Sequence, residues 1–358
     1  MPQKRSHSYK RGNMAYRIEK KVIDGFLENQ FYYRDFCGMA AGIGSSAKGI
    51  EYKKTLGTAS VKTGKPLEED AVFHMASVAK LFTATGIMLL QEKGMLDIDE
   101  KLTSYMPWFE MADKRYKKIT IRQMLTHTSA MPDVSDYHWE QALTEEKALK
   151  DYAISGEVAN AHLLWEPEEG KFAYSNMAYD LLGLLIKEVS GESYEDFVTK
   201  NIFGPMGMDD STLLTMERKD RERMCDPHDK NADKKFEVLP HYPYNRSHAP
   251  SSTLTSNMDD MAKWASAWLS GSFPKAETKE AMWKEYARVR NNGEKMGLGW
   301  FSRIQSGRTL YGHEGMDDGF RASFWLCPQE DLFIMIFANM SKGPVKKVNK
   351  ELFELLIS

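Results

Sequence analysis

The 358-residue chain has only three cysteines, Cys37, Cys225 and Cys327, far apart and odd in number, so neither a disulfide framework nor a C-x-x-C redox pair is expected. No stretch reaches the ~18 uninterrupted apolar residues that a membrane helix requires. The start, MPQKRSHSYKRGNMAYRIEKK, is basic but has no apolar secretory core, so a soluble, cytoplasmic protein is expected, with residues 1–14 a disordered basic tail. An excess of either charge is lacking as well: 48 Lys and Arg against 51 Asp and Glu give a formal net charge of −3, which leaves no footprint for nucleic acid. P-loop, G-x-G-x-x-G, H-E-x-x-H and G-x-S-x-G patterns are absent, which removes the chemistries they serve. Cys225 and His228, followed by His241 and His248, fit no zinc-ligand spacing, so no metal and no other cofactor is expected.

What is present is an ordinary globular composition, 42% hydrophobic and 28% charged, in a chain longer than one core usually serves. Helical spacing over 16–32 predicts an amphipathic N-terminal helix, and 37–43 and 50–56 predict two strands joined by the turn at Gly44-Ser45-Ser46. Thr120 has the position of an N-cap, 144–161 and 194–202 have helical patterns, and Gly191 has the position of a C-cap. Residues 217–250 are polar and rich in Pro, Asn and His, which predicts a long irregular excursion, expected to overhang a cleft and shape specificity. Beyond a helix at 258–269, strands are predicted at 298–304, 309–311, 320–326 and 332–337, before a closing helix at 345–356. The plan is α+β: an antiparallel sheet flanked by helices, built from 15–75 and 250–358, with a mainly helical domain (76–249) inserted and the active site between them. Trp264, Trp268, Trp300 and Trp325 are predicted to be core.

One stretch is chemically pointed. In FHMASVAKLFTATGIMLLQEKGM, Ser77 opens a long apolar helix and Lys80 lies one turn along the same face. Backbone N–H groups at a helix start are free to hold an oxyanion, and a desolvated lysine can take a serine proton. The same S-x-x-K spacing recurs at Ser45 to Lys48 and Ser272 to Lys275, but those serines sit in a strand turn and a Gly-Ser-Phe-Pro loop. An ordinary N-cap is the plain alternative for Ser77. Tyr174-Ser175-Asn176 is the only Y-x-N in the chain, and His313-Glu314-Gly315 the only H-x-G. A tyrosine beside a lysine and a serine can act as a base, and an asparagine can hold either lysine or substrate. Core packing for Tyr174 and a turn position for His313 are the plain alternatives.

Taken in order and separation, Ser77-Val78-Ala79-Lys80, Tyr174-Ser175-Asn176 and His313-Glu314-Gly315 resemble the motifs of the serine β-lactamase and penicillin-binding protein superfamily. The likeness is to its class C-like branch of β-lactamases, DD-peptidases and family VIII-type esterases, and it extends through LTHTSAMPD, GKFAYSNMAYDLLG, GPMGM, GLGW and GHEGMDDGF. The resemblance implies a β-lactamase/transpeptidase-like fold and a serine hydrolase working through an acyl-enzyme on Ser77. Lys80 and Tyr174 then share base and acid work, with the first base left open. Asn176 holds substrate and Lys80, and His313 and Gly315 line the cleft. The backbone N–H groups of Ser77 and Met316 form an oxyanion hole. Lys62-Thr63-Gly64 and Lys295-Met296-Gly297 are rivals for the third motif, the first in the wrong order and the second at the start of another strand.

Departures from the pattern bear on substrate. Glu314, Asp317 and Asp318 are expected to repel anions, with Arg321 a partial offset, so the cleft is expected to take a small neutral or cationic acyl ester or amide. A β-lactamase or D-amino-acid peptidase, an acyltransferase, and a non-catalytic binding module are the alternatives. The expected partner is a small molecule, without nucleic acid or membrane, and the oligomeric state is open.

Overall fold

The structure, a computed structural model, describes residues 16–289 and 293–358, and the tail expected over 1–14 lies outside them. Helix α1 spans Lys20–Tyr33. It begins later than the 16–32 spacing predicts because Tyr16 and Arg17 are bonded elsewhere: the Tyr16 hydroxyl donates to Glu51 at 2.7 Å and the Arg17 N–H to the Leu356 carbonyl at 2.9 Å. The predicted hairpin forms from β1 (Gly38–Ser45) and β2 (Gly49–Ser60), followed by a short β3 (Lys65–Pro66). Helices α2 (Ala79–Glu92), α3 (Asn176–Ser190) and α4 (Met258–Ser270) precede the late strands. These are β4 (Ala287–Arg288), β5 (Lys295–Met296), β6 (Phe301–Gln305), β7 (Arg308–Asp317), β8 (Phe320–Cys327) and β9 (Leu332–Ala338), and α5 (Val345–Ile357) closes the chain.

Among the described residues the main sheet is nine-stranded and antiparallel, in the order β3-β2-β1-β9-β8-β7-β6-β5-β4. The first strand and the last are neighbours, with Met39 opposite Ala338 and Ile43 opposite Ile334. Every residue of β1 and β9 is buried, because both faces of the sheet are covered. On one face Met39, Ala41, Ile43, Ile334 and Ile336 pack with Ile23 and Leu27 of α1 and Leu352 and Phe353 of α5. On the other, Ala40, Phe333, Met335 and Phe337 join a larger core with α2, α3 and α4. Trp264, Trp268, Trp300 and Trp325 are fully buried, as predicted.

The predicted helix at 144–161 is two short pieces, Ala148–Ala153 and Gly156–Ala159. The carbonyls of Leu143 and Thr144 are instead taken by the N–H and the guanidinium of Arg246, at 2.9 and 2.8 Å. The helix beginning at Tyr194 runs past its predicted stop through a π-turn, Thr199–Phe203, to Gly204–Met206, and Gly207 ends it at φ +63°. Thr120 caps Ile121–Leu125 in a full capping box with Gln123, and Gly191 ends α3 at φ +75°, both as predicted. Strand β7 continues six residues beyond the predicted 309–311, to Asp317, because β8 pairs with it along its whole far half.

The 217–250 excursion is irregular apart from a small hairpin, His228–Lys230 with Phe236–Val238, and two single 3-10 turns, Arg221–Arg223 and Arg246–His248. It braces the sheet end: Tyr242 packs on His74 and Phe320 with ring centroids 6.0 and 5.5 Å apart. His228 accepts from Val61 N–H at 3.1 Å and approaches the Asn339 carbonyl at 2.9 Å, so it serves the fold. The returning arm drives Arg246 into the helical layer, where it grips Glu195 with two hydrogen bonds of 2.8 and 3.1 Å, both residues buried. Removing one partner of a buried pair leaves an uncompensated charge. Arg246→Met is therefore expected to lower the unfolding free energy by about 3–5 kcal/mol in urea titration, and a loss under about 1 kcal/mol would contradict this anchoring role.

Candidate active site

The turn before α2 is strained where the candidate nucleophile is presented. Ala76 has φ +48°, a left-handed conformation that alanine adopts at a cost of roughly 1–3 kcal/mol. Ala76–Val78 then forms a single 3-10 turn that runs straight into α2. Ser77 is half-buried, while Lys80 beneath it is completely buried. Strand β7 presses against this turn at Gly315, where a Cβ would lie 2.2 Å from the Met75 carbonyl oxygen, so only glycine allows the approach. Strand β6 pairs with β7 only as far as Gly312, while β8 pairs with it to Asp317. Residues 313–317 therefore keep one backbone edge without a strand partner.

Lys80 is the centre of the cluster. Its Nζ lies 3.0 Å from Ser77 Oγ, 2.5 Å from Asn176 Oδ1 and 2.6 Å from the Ser251 carbonyl oxygen. Asn176 is fixed in turn: its backbone N–H and its Nδ2 both donate to Asp133 Oδ1, each at 2.8 Å. Ser175 caps α3, accepting from Ala178 N–H at 3.0 Å and donating to the Pro132 carbonyl at 2.7 Å, which sets Tyr174 and Asn176 on either side of it. Burial lowers the Lys80 ammonium from 10.5 to about 8, against the opposing pull of Asp180, Asp317 and Asp133.

Tyr174 lies with its ring centroid 5.0 Å from Lys80 Nζ and 4.3 Å from the stacked His127 ring. Burial drives its phenol well above the ordinary tyrosine range, and a hydrogen bond with Ser77 holds it back in part. His127, at φ +53°, accepts Ser175 N–H on Nδ1 at 3.1 Å, so its proton sits on Nε2. His313 lies across Tyr174 at 6.4 Å. Its Nδ1 is 2.6 Å from the Glu314 carbonyl, and burial lowers it from 6.5 to about 3, so the ring is neutral. The two imidazoles therefore flank the phenol uncharged. Of the predicted site residues, Ser77, Lys80, Tyr174 and Asn176 are gathered in one cluster, His313 and Gly315 border it, and Met316 is on the open strand edge, 66% exposed.

Sequence reasoning missed Asp133, His127, Ser251 and the pair Asp180–His248, 2.7 Å apart beneath Lys80. The LTHTSAMPD segment holds the first two, but nothing in it marks their orientation. Ser251 acts through a backbone carbonyl, which no side-chain pattern signals. The rivals are remote in role: Lys62, Thr63 and Gly64 turn between β2 and β3, and Lys295 and Met296 form β5 near the sheet edge. Ser45 donates to Glu51, and Ser272 is exposed.

The expected acidity needs one correction. Glu314 does not face the cleft: strand alternation sends it to the opposite side of β7 from His313 and Gly315. There it accepts from Trp325 Nε1 at 2.7 Å and Ser323 Oγ at 3.1 Å, with Arg303 at 3.8 Å. Asp317 is on the cleft side but occupied, 2.7 Å from His74 Nε2 and bonded by Ser252 Oγ. Asp318 is exposed. The 217–250 excursion also departs from expectation, since the pocket beside Met316 is walled by 135–139 and not by it.

The fold and the cluster define a protein of the serine β-lactamase/transpeptidase type. The chain belongs to the beta-lactamase family, a family of serine hydrolases, whose model matches residues 27–357. Penicillin-binding protein 4* of Bacillus subtilis is 31% identical over 271 residues, covering 70% of this chain and 56% of that protein. Protein flp of Staphylococcus aureus (strain MW2) is 27% identical over 287 residues, covering 78% and 55%. The chain thus spans about half the length of the curated relatives it matches. The octameric penicillin-binding protein homologue from Pyrococcus abyssi superposes with a TM-score of 0.84 at 23% identity, over 94% of this chain and 77% of that one. D-amino acid amidase from Ochrobactrum anthropi SV3 does so with 0.78 at 20% identity, over 94% and 98%. Both establish the fold.

Burial raises the Glu314 carboxyl from 4.5 to about 7. The folded chain therefore keeps a proton that the unfolded chain releases near 4.5, and stability falls as pH rises through that window. Glu314→Gln removes the loss. Its unfolding free energy relative to wild type is expected to increase by roughly 1–3 kcal/mol from pH 4.5 to 7. The lower end is favoured because the side chain is 26% exposed. Parallel pH curves for the two proteins would contradict this placement of Glu314.

Proposed function

We propose that this chain hydrolyses small acyl esters and amides through an acyl-enzyme on Ser77, with Lys80 as the first base. The observation that carries the proposal is the three-oxygen environment of Lys80 Nζ. Asn176 Oδ1 and the Ser251 carbonyl can only accept, so they take two N–H bonds in either charge state. Ser77 Oγ alone can become a donor. Once Lys80 has lost a proton, its lone pair lies along that 3.0 Å contact. Tyr174 is the poorer first base, since burial opposes its phenolate and lowers only the lysine.

In the proposed sequence Lys80 accepts the Ser77 proton as Oγ attacks the carbonyl carbon. The backbone N–H groups of Ser77 and Met316 hold the oxyanion, where a donor contributes about 10²- to 10³-fold in rate. The neutral Tyr174 phenol gives its proton to the departing nitrogen or oxygen as the acyl C–N or C–O bond breaks and the carbonyl re-forms, and Lys80 reprotonates Tyr174. Water then loses a proton to the same pair, attacks the acyl carbon and releases the acid, and Ser77 regains its hydrogen. Asn176, held by Asp133, keeps Lys80 in line, and His313 and Gly315 shape the wall. Asp317 and Asp318 beside Met316 support a neutral or cationic acyl group, and the amidase fold neighbour is in keeping with amide cleavage. Nitrocefin turnover comparable to that of p-nitrophenyl butyrate would count against this preference.

Among the described residues no helix is long and apolar enough to cross a membrane. Cytoplasmic residence is part of the proposal and is supported by Cys37, Cys225 and Cys327, all free and buried. The test of mechanism is fluorophosphonate labelling followed by intact mass. Because the neutral amine is the active form, the labelling rate is expected to rise about tenfold per pH unit up to about 8 and then level. Lys80→Met is expected to lower it by at least about 10³-fold, and Ser77→Ala to abolish the adduct. A flat pH profile, or an adduct surviving in Ser77→Ala, would overturn the proposal.

A further inference from the structure

A cavity of about 340 Å³ opens beside the proposed oxyanion strand, sharing Met316 and Asp317 with it. That volume suits an acyl chain of several non-hydrogen atoms. Its apolar wall is Met316 with Tyr137 and Trp139, whose rings stack at 4.6 Å and 13°. The stack is fixed from behind: the Tyr137 ring meets His248 edge-on at 5.0 Å, and Asn245 Nδ2 donates to the Tyr137 carbonyl at 3.1 Å.

The charges around this cavity are predominantly negative, three carboxylates against one guanidinium. Asp136 and Asp318 are exposed at its rim, and Asp317 adds a third carboxylate. The one guanidinium, Arg321, has Nη1 committed to the carbonyls of Asp317 and Phe320 at 2.8 and 2.7 Å. Aromatic faces attract an ammonium, and two exposed carboxylates reinforce it, whereas a carboxylate on the substrate would be repelled.

We infer that the Tyr137–Trp139–Met316 cavity is the acyl-side subsite and that it selects acyl groups bearing a primary ammonium, in preference to neutral or anionic ones. This rests on the acyl-enzyme reading of Ser77 and specifies its substrate class. The ammonium sits against the aromatic stack between Asp136 and Asp318, and the carbonyl is directed toward the Met316 N–H. Neutral acyl groups enter without that gain.

The experiment compares p-nitroanilides that differ in charge: alanyl (both enantiomers), 4-aminobutyryl and 6-aminohexanoyl against butyryl, with succinyl as the anion. Wild type is expected to favour at least one ammonium substrate over butyryl by about tenfold in kcat/KM, with succinyl slowest. The chain length preferred locates the ammonium. Asp136→Asn/Asp318→Asn is expected to reduce the ammonium-to-neutral ratio by about tenfold, and added salt to reduce it in wild type. A turnover-independent arm titrates phenethylammonium against phenylacetate by calorimetry, where the cation is expected to bind about tenfold tighter and the double variant to lose that difference. Equal ratios in wild type and variant, together with equal binding of the two ions, would overturn the subsite. Normal fluorophosphonate labelling of Ser77 in that case would leave the acyl-enzyme intact. No labelling but selective cation binding would instead retain the subsite and remove the acyl-enzyme.

Discussion

A lysine ammonium with no solvent contact is the constraint that organises this molecule. Taking such an ion out of water costs several kcal/mol unless its hydrogens are matched. Here the three matching oxygens come from three separate segments: Ser77 from the strained turn before α2, Asn176 from the first residue of α3, and Ser251 from the end of the long excursion. Each needs its own support. Asp133 anchors Asn176, and the Arg246–Glu195 pair anchors the arm that brings Ser251. Burial raises Asp180 at the bottom of the cluster, and His248 and Ser251 hold it back. The incomplete compensation is the chemical point, because it leaves Lys80 able to give up a proton near neutrality.

Strand β7 supplies the other half of the arrangement through its period of two. Gly315 and His313 face the cluster and bring the open backbone edge close to Ser77, while Glu314 is delivered to the far side of the sheet. One short motif thus separates an uncharged cleft wall from a half-buried acid behind it. The acidity that shapes the cleft mouth comes from the turn beyond the motif, at Asp317 and Asp318, and from Asp136 across the gap.

Much of this was legible in sequence, for identifiable reasons. Local signals held where local physics decides: the Thr120 capping box, the Gly191 cap, and the three-residue spacing that stacks Lys80 under Ser77. The gathering of Tyr174 and His313 with them was implied by family resemblance and not by periodicity. The orientation of Glu314 follows from strand alternation only once the strand is known to reach Asp317, and the local pattern marks it no further than Tyr311. Asp133, Ser251 and Arg246 act through tertiary partners 43 to 171 residues away. Arg246 also dissolves a helix that propensity favours by capturing the carbonyls of Leu143 and Thr144. Such effects have no signature in a local window.

The most direct test is to titrate the Lys80 amine itself. With lysine carrying a ¹³Cε label and the signal assigned by its loss in Lys80→Met, the chemical shift is expected to turn over with a midpoint near 8. A midpoint near 10.5, the ordinary value for lysine, would mean that Lys80 stays protonated while Ser77 reacts, and would contradict its role as the base.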